Sequence, residues 1–242
     1  MAERLPSIEP ERIARNLAEV RARIGAAAAR AGRDAAGVRL IAVTKYVGAA
    51  EVRALLAGGV RDLGENRIQD AREKLEALRG EVAAAGARWH FIGHLQTNKV
   101  KYALRDYAWL GAVDSSRLLR EIAREARKRG LAEVPCLAEV NVSGEAQKHG
   151  LAPGELRGFL GEAAACAPCR VAGLMAMAPH GDDAERVARP VFARLRALLE
   201  EANAQGWAPA PLLELSMGMT QDYEAAVEEG ATMVRVGSAL FA

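Results

Sequence analysis

The sequence predicts an α/β fold, a single-domain (β/α)8 barrel of the TIM type. Eight short apolar runs alternate with helix-like segments, which is typical of parallel strands joined by helical crossovers. The chain has 242 residues, of which 50% are hydrophobic, and α/β barrels of this length form one domain. No linker or shift in composition divides the sequence. Residues 1–242 are therefore expected to form one domain.

The N-terminal segment predicts a helix that precedes the first strand. Its apolar residues recur at the spacing of one helical face: Ile13, Leu17, Val20 and Ile24. Gly32 is suited to end this helix, and we expect residues 1–34 to pack on the barrel. Because the chain ends directly after its eighth strand, the same helix is expected to cover the place of a missing last helix.

The predicted strands and helices then follow in alternation. The strand-like runs are 38–44, 60–63, 88–92, 109–113, 135–140, 170–175, 212–215 and 232–236. The helix-like segments between them are 49–57, 69–78, 98–104, 115–129, 154–164, 183–205 and 222–229. A doubly wound open sheet is the competing architecture, but it requires a glycine-rich turn after its first strand. The segment VTKYVG is not such a turn, so the barrel is favoured.

Composition narrows the classes of function. Lys and Arg number 33 against 31 Asp and Glu, without a basic run, which disfavours a nucleic-acid partner. No window is apolar enough to predict a membrane span. The low cysteine count and the lack of a secretory signal predict a cytoplasmic protein. We interpret the C-x-x-C motif of Cys166 and Cys169 as a turn rather than a redox pair.

Polar residues gather where the predicted strands end, which is the face that carries the site in such barrels. Lys45 follows the first strand, Asn66 the second, His94 the third and Asp114 the fourth. A lysine at the end of an apolar strand is a solvated loop residue, a salt-bridge partner or an amine held for chemistry.

The seventh and eighth strands end in small residues that suit an anion. The segment LSMGMTQ contains Ser216, Met217 and Gly218, and VGSALFA contains Gly237 and Ser238. Small residues let backbone N–H groups approach a phosphate near the positive end of a helix. Each segment alone equally indicates a tight turn. Together they favour phosphate, which barrels often bind after these two strands.

Arg235 lies inside the last apolar strand, between Val234 and Val236. A guanidinium in such surroundings needs a partner, which is either an acidic neighbour or a ligand in the barrel mouth. A lysine amine, a phosphate site and an arginine together point to a phosphorylated carbonyl compound. Pyridoxal 5′-phosphate (PLP) supplies both an aldehyde and a phosphate, and a lysine can bind the aldehyde as a Schiff base.

Seven segments follow one another along the chain: AVTKY, GENRIQD, WHFIGHLQTNK, VDS, EVNVSGEAQKHG, GLMAM and LSMGMTQDYEAAVEEGATMVRVGSALF. In this order they resemble the pyridoxal 5′-phosphate homeostasis proteins, which are relatives of the N-terminal domain of alanine racemase with the fold-type III barrel. The resemblance implies a protein that carries PLP as an aldimine on Lys45. It also implies a part in intracellular PLP (vitamin B6) homeostasis and supply, with little or no catalytic turnover.

The resemblance further implies roles for particular residues. Lys45 matches the lysine that holds the cofactor, Asn66 lies in the pocket, and Arg235 matches an arginine against the pyridine nitrogen. The residues expected at the phosphate are Ser216, Met217, Gly218, Gly237 and Ser238. Lys148 matches a lysine on a loop at the mouth. Apo forms of PLP-dependent enzymes are the expected partners, and the chain is expected to be a monomer.

Three alternatives differ in the residues they need. A PLP-dependent racemase-like enzyme needs a second acid/base group opposite Lys45. In the racemase that group comes from an added domain and a second subunit. This chain is expected to have no room for the added domain. Strand alternation is expected to point Tyr46 away, which leaves His94. A Schiff-base aldolase would bind no chromophore. A metalloenzyme would use histidines, but these are scattered without ligand spacing, so no metal is expected: His90, His94, His149 and His180.

Overall fold

Eight parallel strands close into one barrel in the order in which they occur in the chain. The computed structural model describes residues 7–145, 147, 149–179, 181 and 183–242. The strands are β1 (Arg39–Val43), β2 (Asp62–Glu65), β3 (Arg88–Phe91), β4 (Trp109–Val113), β5 (Val134–Glu139), β6 (Cys169–Met175), β7 (Glu214–Ser216) and β8 (Met233–Val236). The predicted fold class is confirmed.

Helices connect the strands around the outside of the barrel. They are α1 (Pro10–Arg30), α2 (Ala49–Ala57), α3 (Ile68–Ala84), α4 (Val100–Asp106), α5 (Ser116–Lys128), α6 (Leu156–Ala163), α7 (Ala184–Val187), α8 (Arg189–Ala204), α9 (Tyr223–Glu228) and α10 (Ser238–Phe241). The predicted helix 183–205 is split at Ala188, because Pro190 lies in the first turn of α8 and disfavours helical continuation before it.

In the described part of the chain, each helix is too short or too polar to traverse a lipid bilayer.

The barrel is packed in two apolar layers because successive strand residues point to opposite faces. The inward side chains form a small cluster of Ile41, Trp109, Ala112, Leu137, Ala172, Met175 and Met233. The outward side chains pack against the helices, and Leu63, Ile122 and Phe192 are completely buried there. Since the interior is filled with side chains, a ligand has room at the ends of the strands rather than along the barrel axis.

Helix α1 packs across the end of the chain. It contacts α2, α9 and α10, and its predicted apolar face is buried. Arg12 Nε and Asn16 Nδ2 donate hydrogen bonds to the carbonyl oxygen of Ala242, at 2.6 Å and 3.0 Å. A single helical turn, α10, follows β8, which the sequence analysis did not predict. Helix α1 and this turn together therefore occupy the position at which a regular barrel has the helix that follows its eighth strand.

Candidate functional site

A cavity of about 470 Å³ opens at the carboxyl ends of the strands, a size that suits a small molecule. Its apolar wall consists of Val43, Ile92, Ala112, Met177, Met219 and Phe241. Its other lining residues are Lys45, Tyr46, Asn66, Gly93, His94, Glu139, His149, Thr220, Gln221, Arg235, Gly237 and Ser238. An apolar slot with a few converging polar groups is the usual form of a site for an organic ligand.

Lys45 and Tyr46 form a turn directly after β1, and both side chains line the cavity. The Lys45 Nζ lies 4.8 Å from the centroid of the Tyr46 ring, within cation–π distance. The expectation that Tyr46 points away from the pocket is wrong. Alternation of side chains holds only within a strand, and β1 already ends at Val43.

A buried lysine, Lys74 of α3, holds the turn that carries Lys45. Its Nζ donates to the carbonyl oxygens of Thr44 and Val47, at 2.6 Å and 2.9 Å. The same nitrogen lies 2.6 Å from Glu65 Oε1, which also accepts the Thr44 hydroxyl at 2.6 Å. Lys74 thus directs two of its three N–H donors to carbonyl oxygens on either side of Lys45 and the third to Glu65, which holds the backbone of this turn in place.

Sequence reasoning missed Lys74, although a signal for it was present. Residues Ala71, Lys74, Leu75 and Leu78 recur at the spacing of one helical face, and all four are buried in the structure. A lysine on the apolar face of a helix needs buried acceptors. The position of Lys74 therefore indicated a polar group beneath the helix. The helical spacing alone did not identify that group.

Asn66 lies in the cavity lining because the loop after β2 runs close to the loop after β3. Gly93 makes this approach possible, since a Cβ atom there would lie 2.3 Å from the carbonyl oxygen of Asn66. That distance is well inside van der Waals contact, so any larger residue would displace Asn66 from the cavity.

Arg235 reaches the cavity from within β8 and is 5% exposed. Its Nη1 donates to Ser216 Oγ at 2.6 Å and its Nη2 to the carbonyl oxygen of Ala176 at 3.1 Å. Burial lowers the pKa of Arg235 to about 10, while Glu139 and Asp222 raise it. The guanidinium is therefore still protonated at neutral pH. Its two hydrogen bonds go to a hydroxyl and a carbonyl oxygen, and the residue also lines the cavity, so its role toward a ligand stays a prediction.

Glu139, the last residue of β5, is 3% exposed and lines the same cavity. Burial raises the pKa of its carboxyl, and the Asp114 carboxylate raises it further, whereas Arg235 and His149 lower it. Glu139 is not among the site residues predicted from the sequence. A carboxylate within the apolar run 135–140 was the available signal, by the same reasoning that selected Arg235.

The predicted phosphate residues fall into two groups in the structure. Gly237 and Ser238 line the cavity, and the Gly237 N–H donates to Thr220 Oγ1 at 3.3 Å. Ser216 faces the barrel interior, where its hydroxyl accepts from Arg235. Met217 is completely buried, and its N–H donates to the carbonyl oxygen of Met233 at 3.1 Å.

Gly218 connects the end of β7 to the loop that reaches the cavity. Its φ angle is +91°, which favours glycine, and a Cβ atom there would lie 2.5 Å from the Cβ of Ala226 in α9. Met219, Thr220 and Gln221 follow it and line the cavity. The loop after β7 thus contributes residues one to three positions further along the chain than the predicted Gly218.

The loops after β3, β4 and β5 bring two imidazoles and a carboxylate together at the mouth of the barrel, across from the loop after β8. His94 Nδ1 lies 3.1 Å from Asp114 Oδ2. The rings of His94 and His149 are stacked, with centroids 4.0 Å apart and an interplanar angle of 15°. These residues are far apart in the chain, which is why the sequence analysis judged the histidines scattered.

The remaining sequence predictions concern the three cysteines, Lys148 and His180. Cys136, Cys166 and Cys169 are buried and unpaired thiols. Burial raises the pKa of Cys169 to about 12, which disfavours the reactive thiolate. The Cys169 N–H donates to the Cys166 carbonyl oxygen at 2.8 Å, as expected for a turn. Lys148 and His180 lie outside the described residues.

The chain is similar to proteins of known family over nearly its whole length. Residues 8–242 match the family model described as alanine racemase, N-terminal domain. A protein of Pseudomonas aeruginosa named pyridoxal phosphate homeostasis protein is 45% identical, over 95% of this chain and 94% of that protein. A curated relative of the same name from Escherichia coli is 34% identical over 95% of both chains.

A solved structure shares both fold and sequence. PipY of Synechococcus elongatus, determined with PLP bound, has a TM-score of 0.80 and is 33% identical, covering 95% of this chain and all of that one. PipY therefore shares the closed barrel of this chain. By its match to the family model and its identity to these relatives, the chain belongs to the pyridoxal phosphate homeostasis proteins of the alanine racemase N-terminal domain family.

Proposed function

We propose that this protein binds PLP in the cavity at the strand ends and takes part in PLP homeostasis. The observation that carries the proposal is the position of Lys45, whose amine lines a cavity that also holds the buried Arg235. The curated relatives named for PLP homeostasis and the PLP-bound PipY support it. In this proposal the 242 residues act as one PLP-binding domain.

The residues present fit the cofactor in size and chemistry. Lys45 is exposed to the cavity, so its amine is free to condense with an aldehyde, forming a C=N bond and releasing one water. The apolar wall, which includes Met177 and Met219, offers contacts to the faces of an aromatic ring. We propose that Lys45 holds PLP covalently in this way, as an aldimine.

Arg235 is proposed to face the ring nitrogen of the cofactor. A guanidinium is always protonated at neutral pH and donates hydrogen bonds without accepting any, so it favours an unprotonated pyridine nitrogen. An unprotonated ring withdraws electrons less strongly than a protonated one. The pyridine ring of PLP withdraws electrons from an amine that is bound to the cofactor. Arg235 would weaken this electron withdrawal.

The phosphate is proposed to bind beside the loops after β7 and β8. Gly237 and Ser238 stand at the start of α10, next to Thr220. Ser216, Met217 and Gly218 are also proposed to bind the phosphate, through the backbone of their segment, because the Ser216 hydroxyl accepts from Arg235 and the Met217 side chain is buried. Asn66 is proposed to contact the cofactor near Lys45.

We propose that the protein holds and supplies the cofactor rather than catalysing amino-acid turnover. Its relatives are named as homeostasis proteins. The alternative, a racemase-like enzyme, would use Lys45 and His94 as its two acid/base groups, since both line the cavity. The recipients of the cofactor in our proposal are apo forms of PLP-dependent enzymes.

Incubation of the PLP-loaded protein with L-alanine and other L-amino acids should yield neither D-enantiomers nor keto acids. The reason is that Arg235 would keep the ring nitrogen unprotonated and so weaken the electron withdrawal on which proton removal from a bound amine depends. Chiral chromatography of the products measures the outcome. Sustained turnover above about one per second, the ordinary range of enzymes, would favour the racemase-like alternative.

Substitution of Arg235 should change the absorbance of the bound cofactor or its retention. Arg235→Gln removes the positive charge, and Arg235→Glu replaces it with a negative one that favours a protonated ring nitrogen. We expect the shift in the absorbance spectrum, or in the dissociation constant for PLP, to be larger in Arg235→Glu than in Arg235→Gln. Circular dichroism verifies that each variant is folded. Spectra and affinity equal to those of the parent in both variants would leave Arg235 a structural role only.

A further inference from the structure

We propose that His94, Asp114 and His149 form a binding site for one divalent transition-metal ion of the Zn²⁺ class. The ligand atoms of the three side chains lie within 4.8 Å of one another. His94 and His149 line the same cavity as Lys45, but the inference does not require that PLP binds there.

The chemistry of the three donors suits such an ion. Zn²⁺ is bound in proteins by imidazole nitrogen and carboxylate oxygen, and sites with three protein ligands keep a fourth position for water or another ligand. Two histidines and one carboxylate are a common set for divalent transition metals. Oxygen-only ions such as Mg²⁺ and Ca²⁺ are disfavoured because two of the three donors are nitrogen.

The geometry requires only small movements to enclose an ion. In a tetrahedral site with bonds of about 2.1 Å, ligand atoms lie about 3.4 Å apart. His94 Nδ1 and Asp114 Oδ2 are already 3.1 Å apart. His149 is exposed and is stacked on His94, so rotation of its side chain can bring a ring nitrogen to the same point.

A further carboxyl group lies close to the three proposed ligands. The buried Glu139 lines the same cavity as His94 and His149 and is near Asp114. The three ligands come from the loops after β3, β4 and β5, and Lys45 and the proposed phosphate residues come from the loops after β1, β7 and β8. The proposed metal ligands and the proposed cofactor-binding residues therefore come from different loops around one mouth.

Titration of the cofactor-free, untagged full-length protein with Zn²⁺ by isothermal calorimetry tests this inference. Cofactor and histidine tag are left out because each binds metals on its own. We expect one ion per chain, and a titration with Co²⁺ should give the visible ligand-field bands of a site with nitrogen and oxygen donors.

Two ligand variants and one control make the test specific. His149→Ala and Asp114→Asn should each weaken Zn²⁺ binding by at least about tenfold. Asp70→Asn removes an exposed carboxylate of α3, paired only loosely with Arg67 at 3.6 Å, and should leave binding unchanged. His149 is exposed, so its replacement should not disturb folding. Absence of Zn²⁺ binding by the parent, or equal binding by His149→Ala, would overturn the inference.

Discussion

Lys45→Ala is expected to abolish the aldimine absorbance of the PLP-loaded protein completely. Lys45 provides the amine at the cavity, so without it the aldehyde of the cofactor has no partner there. Because the side chain is exposed, the free energy of unfolding should change by no more than about 0.5 kcal/mol. Absorbance spectroscopy after removal of unbound PLP measures the first quantity, and urea denaturation measures the second.

Lys101→Ala is the matched control, because Lys101 is likewise exposed but lies on α4, away from the cavity. It should keep the full absorbance. Undiminished absorbance in Lys45→Ala would mean that another amine binds the aldehyde and would refute the assignment of Lys45.

Lys74→Met is expected to destabilise the fold by about 3–5 kcal/mol, the usual cost of breaking one side of a buried ion pair. The substitution leaves the Glu65 carboxylate, which is 2% exposed, without its cation, and it removes the Lys74 donor from the carbonyl oxygens of Thr44 and Val47. The Thr44 carbonyl then keeps the Val47 N–H at 3.1 Å as a donor. The free energy of unfolding from urea denaturation measures the loss. PLP affinity should also fall at temperatures where the variant is folded, because the turn that directs Lys45 is released.

Two further variants separate these causes. Lys74→Met combined with Glu65→Gln removes both charges and should recover part of the lost stability. Lys101→Met makes the same chemical change on the surface and should alter the free energy of unfolding by less than about 0.5 kcal/mol. A loss below about 1 kcal/mol in Lys74→Met would contradict the structural role that we assign to this residue.

The barrel could be predicted from the sequence because its signals are local. Apolar runs, helical periodicity and the polar residues at strand ends are each read from neighbouring positions. The same reasoning placed Lys45, Asn66, Arg235, Gly237 and Ser238 at the carboxyl ends of the strands, and all five line one cavity. Their roles toward the cofactor stay predictions.

The features that the sequence did not predict depend on where an element ends, or on contacts between residues that are far apart in the chain. Tyr46 faces the cavity because β1 ends three residues earlier, and strand ends are poorly defined by pattern. His94 and His149 are 55 positions apart and meet only because the loops of β3 and β5 share the mouth of the barrel. A contact of this kind leaves no periodic trace in the sequence.

Reduction of the PLP-loaded protein with borohydride, followed by peptide mass spectrometry, tests the central claim most directly. Reduction makes the bond between cofactor and lysine permanent, and trypsin does not cleave after a modified lysine. We predict one modified peptide covering residues 40–53, LIAVTKYVGAAEVR, uncleaved at Lys45 and carrying one pyridoxyl phosphate group. A modification at another lysine, or no modification in a protein that retains PLP, would contradict the account.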